Sequence, residues 1–350
     1  MVHTRVLVGM SGGLDSSAAV WLLKQQGHTV EGATLLLTDG SACGSSRDVE
    51  DAVALAKRMD IPHRILDYRT WFRQTVIQNF ADTYQNGDTP NPCIVCNKQV
   101  KFGKLLEQAL TEGFDAIATG HYARVEQADN GRWFLKKAKD AQKDQSYVLY
   151  SLMQHQLAHI LFPLGDQVKT ALRNLAAEQG WESAHKAESQ DICFVPDGDY
   201  AAFLEREMGL KRVPGAYLDM DGGVIGTHTG MLGYTIGQRK GLGVAFGEPR
   251  FVVRKDAVNN TVTLGKSEDL FTTELIAHEL NWIAIPELTV PIEVTAKTRY
   301  SQREASAVVE PLDTGRVRVR FSQPQRAITT GQSVVFYQDD VVVGGGIIVS

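Results

Sequence analysis

The sequence predicts an α/β protein: a Rossmann-like, mainly parallel sheet in the N-terminal half, followed by a small mainly-β central domain and a C-terminal β-barrel. Three observations carry this. Over the first half, short apolar runs alternate with amphipathic helical stretches, the pattern of a parallel sheet covered by helices. The first apolar run, "RVLVG", passes straight into a glycine- and serine-rich loop and then a helix. Beyond about residue 205 helical periodicity gives way to glycine-rich turns and short β-prone runs.

Taken in order, Arg5 to Gly9 reads as a buried strand and Ser16 to Gln26 as a helix, with Gly27 placed to end it in the left-handed conformation. Val30 to Leu37 is the second strand. Asp48 to Met59 is an amphipathic helix with acids in its first turn and bases in its last, as the helix dipole favours. "HRILDY" is a third strand, Trp71 to Tyr84 and Lys98 to Leu110 are helices, and "DAIATGHYA" is a strand ending at Gly120-His121. From Lys211 to Gly247 no long helix is expected. After Asn281 the runs "VPIEVTAKTRY", "EASAVVE", "RVRVRF", "SVVFYQ" and "VVVGGGIIV" have the spacing of a small barrel. Domain boundaries are placed at 1–205, 206–275 and 276–350.

The 350 residues are 43% hydrophobic and 22% charged, ordinary for a globular chain of two or three domains. A net charge of −5 argues against a protein that coats nucleic acid everywhere, but leaves room for a local basic face. No apolar run is long enough to span a bilayer and no secretory leader is evident, so a cytoplasmic location without a membrane partner is expected. Four cysteines, Cys43, Cys93, Cys96 and Cys193, are too few for a disulfide framework in a chain this long. One C-x-x-C with a distant third cysteine points instead to redox, nucleophilic or metal chemistry.

The loop "GMSGGLDSS" follows the first strand. Backbone amides and a helix N-terminus offer themselves to an anion there, glycines permit close approach, and serines add hydroxyls. The Gly-Lys-Ser/Thr ending of a Walker A loop is absent, so γ-phosphate transfer is not indicated. Asp15 offers a carboxylate to Mg²⁺ on a pyrophosphate. An ordinary glycine turn capped by Ser16 is the plainer alternative. "SGGLDSS" resembles the PP-loop of the ATP-pyrophosphatases, which cleave ATP between its α- and β-phosphates and activate a carbonyl oxygen as an adenylate.

Cys93 and Cys96, in "TPNPCIVCNKQVKFG", stand just before a helix, where its N-terminal charge and Lys98 and Lys101 should favour thiolate. Cys193, in "ESQDICFVP", read by itself is a small buried hydrophobe. A structural zinc site would need a second C-x-x-C or a spaced histidine pair. Cys43 reads as structural or incidental.

The stretches "VGMSGGLDSS", "TPNPCIVCNKQVKFG", "IATGHYAR", "KDQSYVLY", "ESQDICF", "YTIGQRKGLG", "KTRY" and "GGGII", in this order across nearly the whole chain, resemble the bacterial tRNA-specific 2-thiouridylases. The resemblance implies an adenine-nucleotide α-hydrolase-like first domain that binds ATP, a central domain, and a tRNA-contacting barrel. It implies a sulfurtransferase that adenylates C2 of the wobble uridine and then delivers sulfur, releasing AMP and pyrophosphate. Gly9, Met10, Ser11, Gly12, Gly13, Leu14, Asp15 and Ser16 would cradle ATP with Mg²⁺, with Leu35 at the adenine and Gly120 beside the nucleotide. Cys193 would carry a persulfide and Cys96 would attack it, leaving a transient Cys96–Cys193 disulfide. Asn91, Pro92 and Cys93 would lie at the target base. Lys143, Asp144, Gln145, Arg299 and Tyr300 would touch tRNA, although alone these residues read as solvated surface. Gln238, Arg239 and Lys240 suit a tRNA-facing loop by charge. The implied acceptors are the lysine, glutamate and glutamine tRNAs, and the sulfur comes from a persulfide relay protein or a cysteine desulfurase.

Cys93 stands where many relatives carry Asp. Three cysteines at one site also raise a [4Fe-4S] cluster on Cys93, Cys96 and Cys193, competing for the same thiols. Two other readings stay open: a nitrogen-transferring ligase built on the same loop, and a catalytically silent RNA-binding protein.

Overall fold

The computed structural model describes residues 4–39, 46–181, 192–243, 247–313 and 315–350; Cys43 lies outside them, as do residues 188–191 of "ESQDICF". The first part of the chain contributes β1 (Arg5–Gly9), β2 (Thr29–Leu36), β3 (His63–Asp67), β4 (Ala116–Ala118), β5 (Ala123–Gln127), β6 (Trp133–Lys137) and β7 (Ile160–Leu161). Five of these form a parallel sheet in the order β3-β2-β1-β4-β7. Side chains alternate across it: Val6 and Val8 join one hydrophobic cluster and Leu7 the other. The helices Leu14–Gln25, Ser46–Arg58 and Lys169–Glu178 supply the first cluster, through residues such as Ala18, Leu23, Ala52 and Leu172. Helical runs over 69–85 and 92–111, with the helix Tyr200–Met208, supply the second through Phe72, Phe80, Leu105 and Phe203. The expected doubly covered parallel sheet is therefore present.

One helix differs from expectation where it matters. The run expected from Lys98 begins at Pro92 and continues to Thr111, with a π-type stretch at Asn97–Lys104. Proline at the first helical position lacks only an amide that the helix leaves unbonded, so "NPC" starts the helix instead of breaking it. Cys93 and Cys96 thus lie inside the helix, not before it. The strand ending at Gly120-His121 is also shorter than expected, at Ala116–Ala118.

Next come β8 (Gly215–Leu218), β9 (Val224–His228), β10 (Phe251–Asp256) and β11 (Thr261–Gly265), a four-stranded sheet in the order β10-β11-β8-β9. The last part holds β12 (Phe271–Trp282), β13 (Ile292–Lys297), β14 (Ala305–Pro311), β15 (Val317–Arg326), β16 (Ser333–Gln338) and β17 (Val341–Ile348). They pair in the order β12-β15-β14-β13-β16-β17, and β17 returns to β12, closing a barrel. β12 starts before Asn281, where the sequence suggested no strand. The β5–β6 hairpin, from the N-terminal half, pairs with β17 through Lys136 and Val341.

Candidate active site

Loop 10–13 leaves the carboxyl end of β1, Leu35 lies near that end of β2, and Gly120 follows β4. β1 sits between β2 and β4, so the loop and Gly120 flank the crevice where the strand order reverses. The loop is shaped by its own hydroxyls. The Ser11 amide donates to Ser16 Oγ at 3.2 Å, and the Ser16 and Ser17 hydroxyls donate to the Gly13 carbonyl at 3.0 and 2.8 Å. Ser16 and Ser17 are buried, so these hydroxyls hold the turn instead of reaching outward. Met10 and Leu14 send their side chains into the core, so these two residues offer a ligand only their backbone. Gly13 precedes the helix with no side-chain cap, which leaves the first-turn amides available to an anion. Gly12 has φ of +67°, and a Cβ there would meet the Asp48 carbonyl at 2.8 Å.

Asp15 has two partners that sequence reasoning missed. Lys169 Nζ donates to its two carboxylate oxygens at 2.6 and 2.8 Å, and the Tyr122 hydroxyl donates to Oδ1 at 2.8 Å. The Lys169 side chain is only 6% exposed and that of Asp15 34%, so the ammonium is enclosed while the carboxylate keeps a path outward. A lysine therefore does stand at this phosphate loop, supplied by a distant helix. Tyr122 was visible only as part of "GHYAR", and nothing local marked Lys169.

Cys96 is buried in the cluster built around Phe72, Phe80 and Phe102, and half-buried Cys193 packs against the same cluster. Phe194 fixes the Cys193 segment, with ring centroids 5.2 Å from Phe80, 5.3 Å from Phe203 and 5.7 Å from Phe72. Cys93 is exposed, at the second position of its helix, so the helix N-terminal charge falls on it more than on Cys96 one turn further in. Among the described residues no group of three or more His, Cys, Asp or Glu is gathered to hold a metal ion. This arrangement does not fit a [4Fe-4S] cluster on the three cysteines.

The segment expected at the target base is anchored by the barrel. The Thr89 amide donates to the Thr330 carbonyl at 2.9 Å, and Gln332 Nε2 donates to the carbonyls of Thr89 and Pro90 at 3.0 and 2.9 Å. Asn91, Pro92 and Cys93 follow at once.

The residues expected to touch tRNA divide. Asp144 Oδ1 accepts from the Ala138 amide at 2.9 Å, and Oδ2 accepts from the Ser146 hydroxyl at 2.7 Å. Gln145 Oε1 accepts from the Tyr122 amide at 2.9 Å. Arg299 Nη2 donates to the carbonyls of Ile236 and Ala327 and to Thr329 Oγ1, bridging the central domain and the barrel. Burial lowers the Arg299 pKa from its ordinary value. Tyr300 is 43% exposed, and Lys297 Nζ lies 5.8 Å from its ring centre. Arg239 and Lys240 are exposed, while the Gln238 side chain braces its own turn by accepting from the Thr235 amide at 3.0 Å.

With this geometry in place, three family descriptions match the chain in succession: tRNA methyl transferase HUP domain over 4–197, tRNA methyl transferase PRC-barrel domain over 201–266, and aminomethyltransferase beta-barrel domain over 272–348. The tRNA-specific 2-thiouridylase MnmA of Acetivibrio thermocellus is 49% identical, over 99% of this chain and 100% of its own. Those of Clostridium perfringens and Clostridium acetobutylicum are 47% and 46% identical, over at least 99% of every chain compared. The chain belongs to the tRNA-specific 2-thiouridylase family. Among solved structures, a 4-thiouridine synthetase in complex with RNA and ATP aligns with a TM-score of 0.39 at 18% identity, covering 56% of this chain and 46% of its own. The U34-tRNA thiolase NcsA of Methanococcus maripaludis, with its [4Fe-4S] cluster, aligns at 0.37 and 17%, covering 59% and 67%. The 2-thiouridylase relatives span this chain end to end, barrel included. No helix among the described residues is long and apolar enough to cross a membrane.

Proposed function

We propose that this protein uses ATP to activate C2 of uridine 34 in the lysine, glutamate and glutamine tRNAs and replaces the C2 oxygen with sulfur. The observations that support the reading are a glycine-rich loop at the carboxyl edge of the sheet and a hydrophobic cluster of which Cys96 is a member and against which Cys193, far away in sequence, packs.

ATP would lie over residues 9–16, with its adenine toward Leu35 and the nucleotide against Gly120. Mg²⁺ would arrive on the phosphates, with Asp15 as the protein's carboxylate toward it. The uridine O2 attacks the α-phosphorus and pyrophosphate leaves. The oxygen, a poor leaving group by itself, then departs as part of AMP. Anticodon-loop bases are already unstacked at little cost, so C2 is reachable. Asn91, Pro92 and Cys93 would border the base, with Cys93 in the place where many relatives carry Asp. Lys143, Tyr300, Arg239 and Lys240 would meet the RNA directly. Asp144, Gln145 and Arg299 would shape that surface through the backbone groups they bind.

Cys193 would carry a persulfide received from a relay protein or a cysteine desulfurase. The Cys96 thiolate attacks Cys193 Sγ. The persulfide S–S bond breaks, the outer sulfur leaves as sulfide with that electron pair, and the two cysteines remain as a disulfide. Sulfide adds to C2 and AMP departs. An external thiol must reduce the disulfide before the next turnover.

The test incubates the protein with unmodified tRNA, ATP, Mg²⁺ and a sulfur donor and analyses the nucleosides by mass spectrometry. The expected product is 2-thiouridine at position 34, lost in Cys96→Ser and Cys193→Ser. Absence of 2-thiouridine with the wild-type protein, or full activity in Cys193→Ser, overturns the reading.

A further inference from the structure

The two residues that grip Asp15 are themselves held through their backbones from a single turn, residues 140–145. Tyr122 and Gln145 exchange two hydrogen bonds: the Tyr122 amide donates to Gln145 Oε1 at 2.9 Å, and the Gln145 amide donates to the Tyr122 carbonyl at 2.8 Å. Lys169 is tied to the other end of the turn, its amide donating to Asp140 Oδ2 at 3.0 Å. The turn is internally braced. Asp140 also accepts from the Gln142 amide at 3.1 Å through Oδ1 and from the Lys143 amide at 3.0 Å through its carbonyl. Asp144 fastens the turn to Ala138 and Ser146. A displacement of this turn therefore reaches both Tyr122 and Lys169. Lys169 and the Tyr122 hydroxyl both end on the same carboxylate, at the start of the phosphate loop's helix.

At rest Asp15 and Lys169 neutralise one another. ATP with its metal requires the opposite: a carboxylate open to the cation and an ammonium open to a phosphate oxygen. The turn that holds both partners is also the turn whose Lys143 lies on the surface assigned above to tRNA. We propose that the 140–145 turn couples the two substrates: tRNA seated on it repositions Tyr122 and Lys169, frees Asp15 for the metal, and turns Lys169 toward the phosphates. Tyr122 and Asp140 are positioning residues in this scheme, touching neither substrate. The inference rests on the function proposed above.

The test measures pyrophosphate release with and without tRNA, alongside tRNA affinity, for the wild type, Tyr122→Phe and Asp140→Asn. Tyr122→Phe removes only the hydroxyl on Asp15, and Asp140→Asn removes one of the acceptors that hold the turn and Lys169. Both should bind tRNA within about twofold of the wild type. Both should lose roughly tenfold of the tRNA-stimulated rate, the worth of one charge-assisted hydrogen bond, with a smaller change in the tRNA-free rate. A merely structural role would lower both rates together and would overturn the coupling, as would an unchanged ratio of the two rates in both variants. Should Tyr122→Phe fail to fold, Asp140→Asn decides alone. A wild-type protein whose pyrophosphate release ignores tRNA overturns the coupling itself. One that responds to tRNA yet forms no 2-thiouridine overturns the acceptor chemistry and leaves the coupling standing.

Discussion

Gly120 illustrates how single positions are fixed at this site. A Cβ at this residue would sit 2.7 Å from the Asp15 carbonyl carbon and 2.9 Å from both Asp15 Cβ and the Ser16 nitrogen. Backbone cannot yield as a flexible side chain can, so Gly120→Ala must push the β4 end away from the phosphate loop. The expected result is a loss of about 1–3 kcal/mol in stability, from overpacking, and a raised KM for ATP. Denaturant unfolding and initial-rate kinetics check the two parts. Beside it, His121 is buried, with Nδ1 paired to Thr119 Oγ1 at 2.7 Å. Burial first, and then the charge of Lys101, hold its pKa well below 6.5. Below pH 6.5 the unfolded chain therefore binds a proton that the folded chain refuses. This stability contribution is complete above that pH and is lost as the pH falls toward the folded pKa, at no more than about 1.4 kcal/mol per pH unit. His121→Gln should flatten that part of the stability-versus-pH curve, as followed by urea unfolding between pH 5 and 7. That Gly120 follows a strand is legible locally, whereas its place beside the nucleotide is implied by the family resemblance. The Asp15 partners were not legible, since a lysine and a tyrosine announce no destination until the fold brings them to one carboxylate.

At the scale of elements, the helical run 92–111 and the segment before it set where the cysteines lie. The apolar positions Ile94, Val100, Phe102, Leu105 and Leu106 are all buried, yet the π-type stretch between them breaks the regular spacing that would have shown one continuous helix. The sequence pattern therefore points to a start six residues beyond the true one at Pro92. What holds the segment is not local either. Gln332 in the barrel binds two carbonyls of 89–90, and Gly331, at φ of +82°, lies so close that a Cβ would meet the Thr89 nitrogen at 2.8 Å. Gln332→Ala leaves the phosphate loop untouched but loosens Asn91, Pro92 and Cys93. ATP binding by equilibrium dialysis should match the wild type while 2-thiouridine formation falls roughly thirtyfold, given about 1 kcal/mol for each of the two lost bonds. An equal loss of ATP affinity would show that the segment and the loop form a single unit.

At the scale of the whole molecule, the alternation of apolar and polar residues revealed most barrel strands but not their partners, because a strand's pattern encodes its faces and not its neighbours. The β5–β6 hairpin is the clearest case: it belongs by sequence to the sheet domain and by pairing to the barrel. Arg132, in the turn of that hairpin, secures the arrangement. Its Nε donates to the Ile283 carbonyl at 2.6 Å, and its Nη2 donates to the carbonyls of Ile285 and Trp282 at 2.6 and 3.1 Å. Asn281 Nδ2 adds bonds to the carbonyls of Tyr150 and Leu152 at 2.6 and 2.9 Å, so β12 is tied back to the first domain twice. Three bonds to backbone carbonyls go with the arginine, the Ile283 carbonyl keeping a bond from Gln154 Nε2 at 3.2 Å, which makes the loss larger than that of a surface ion pair. Arg132→Ala should lower the unfolding free energy by about 2–4 kcal/mol. Arg320, which is 51% exposed and pairs with Glu274 and Glu310 on the outside of the barrel, provides the contrast. Arg320→Ala should cost no more than about 1 kcal/mol, because solvent screens its partners. Urea unfolding of the two variants side by side measures the difference. Equal, small losses would mean that the barrel stands without the hairpin. A large loss confined to Arg132→Ala would mean that the sheet domain and the barrel fold as one body, with the 89–93 segment held by the barrel through Gln332.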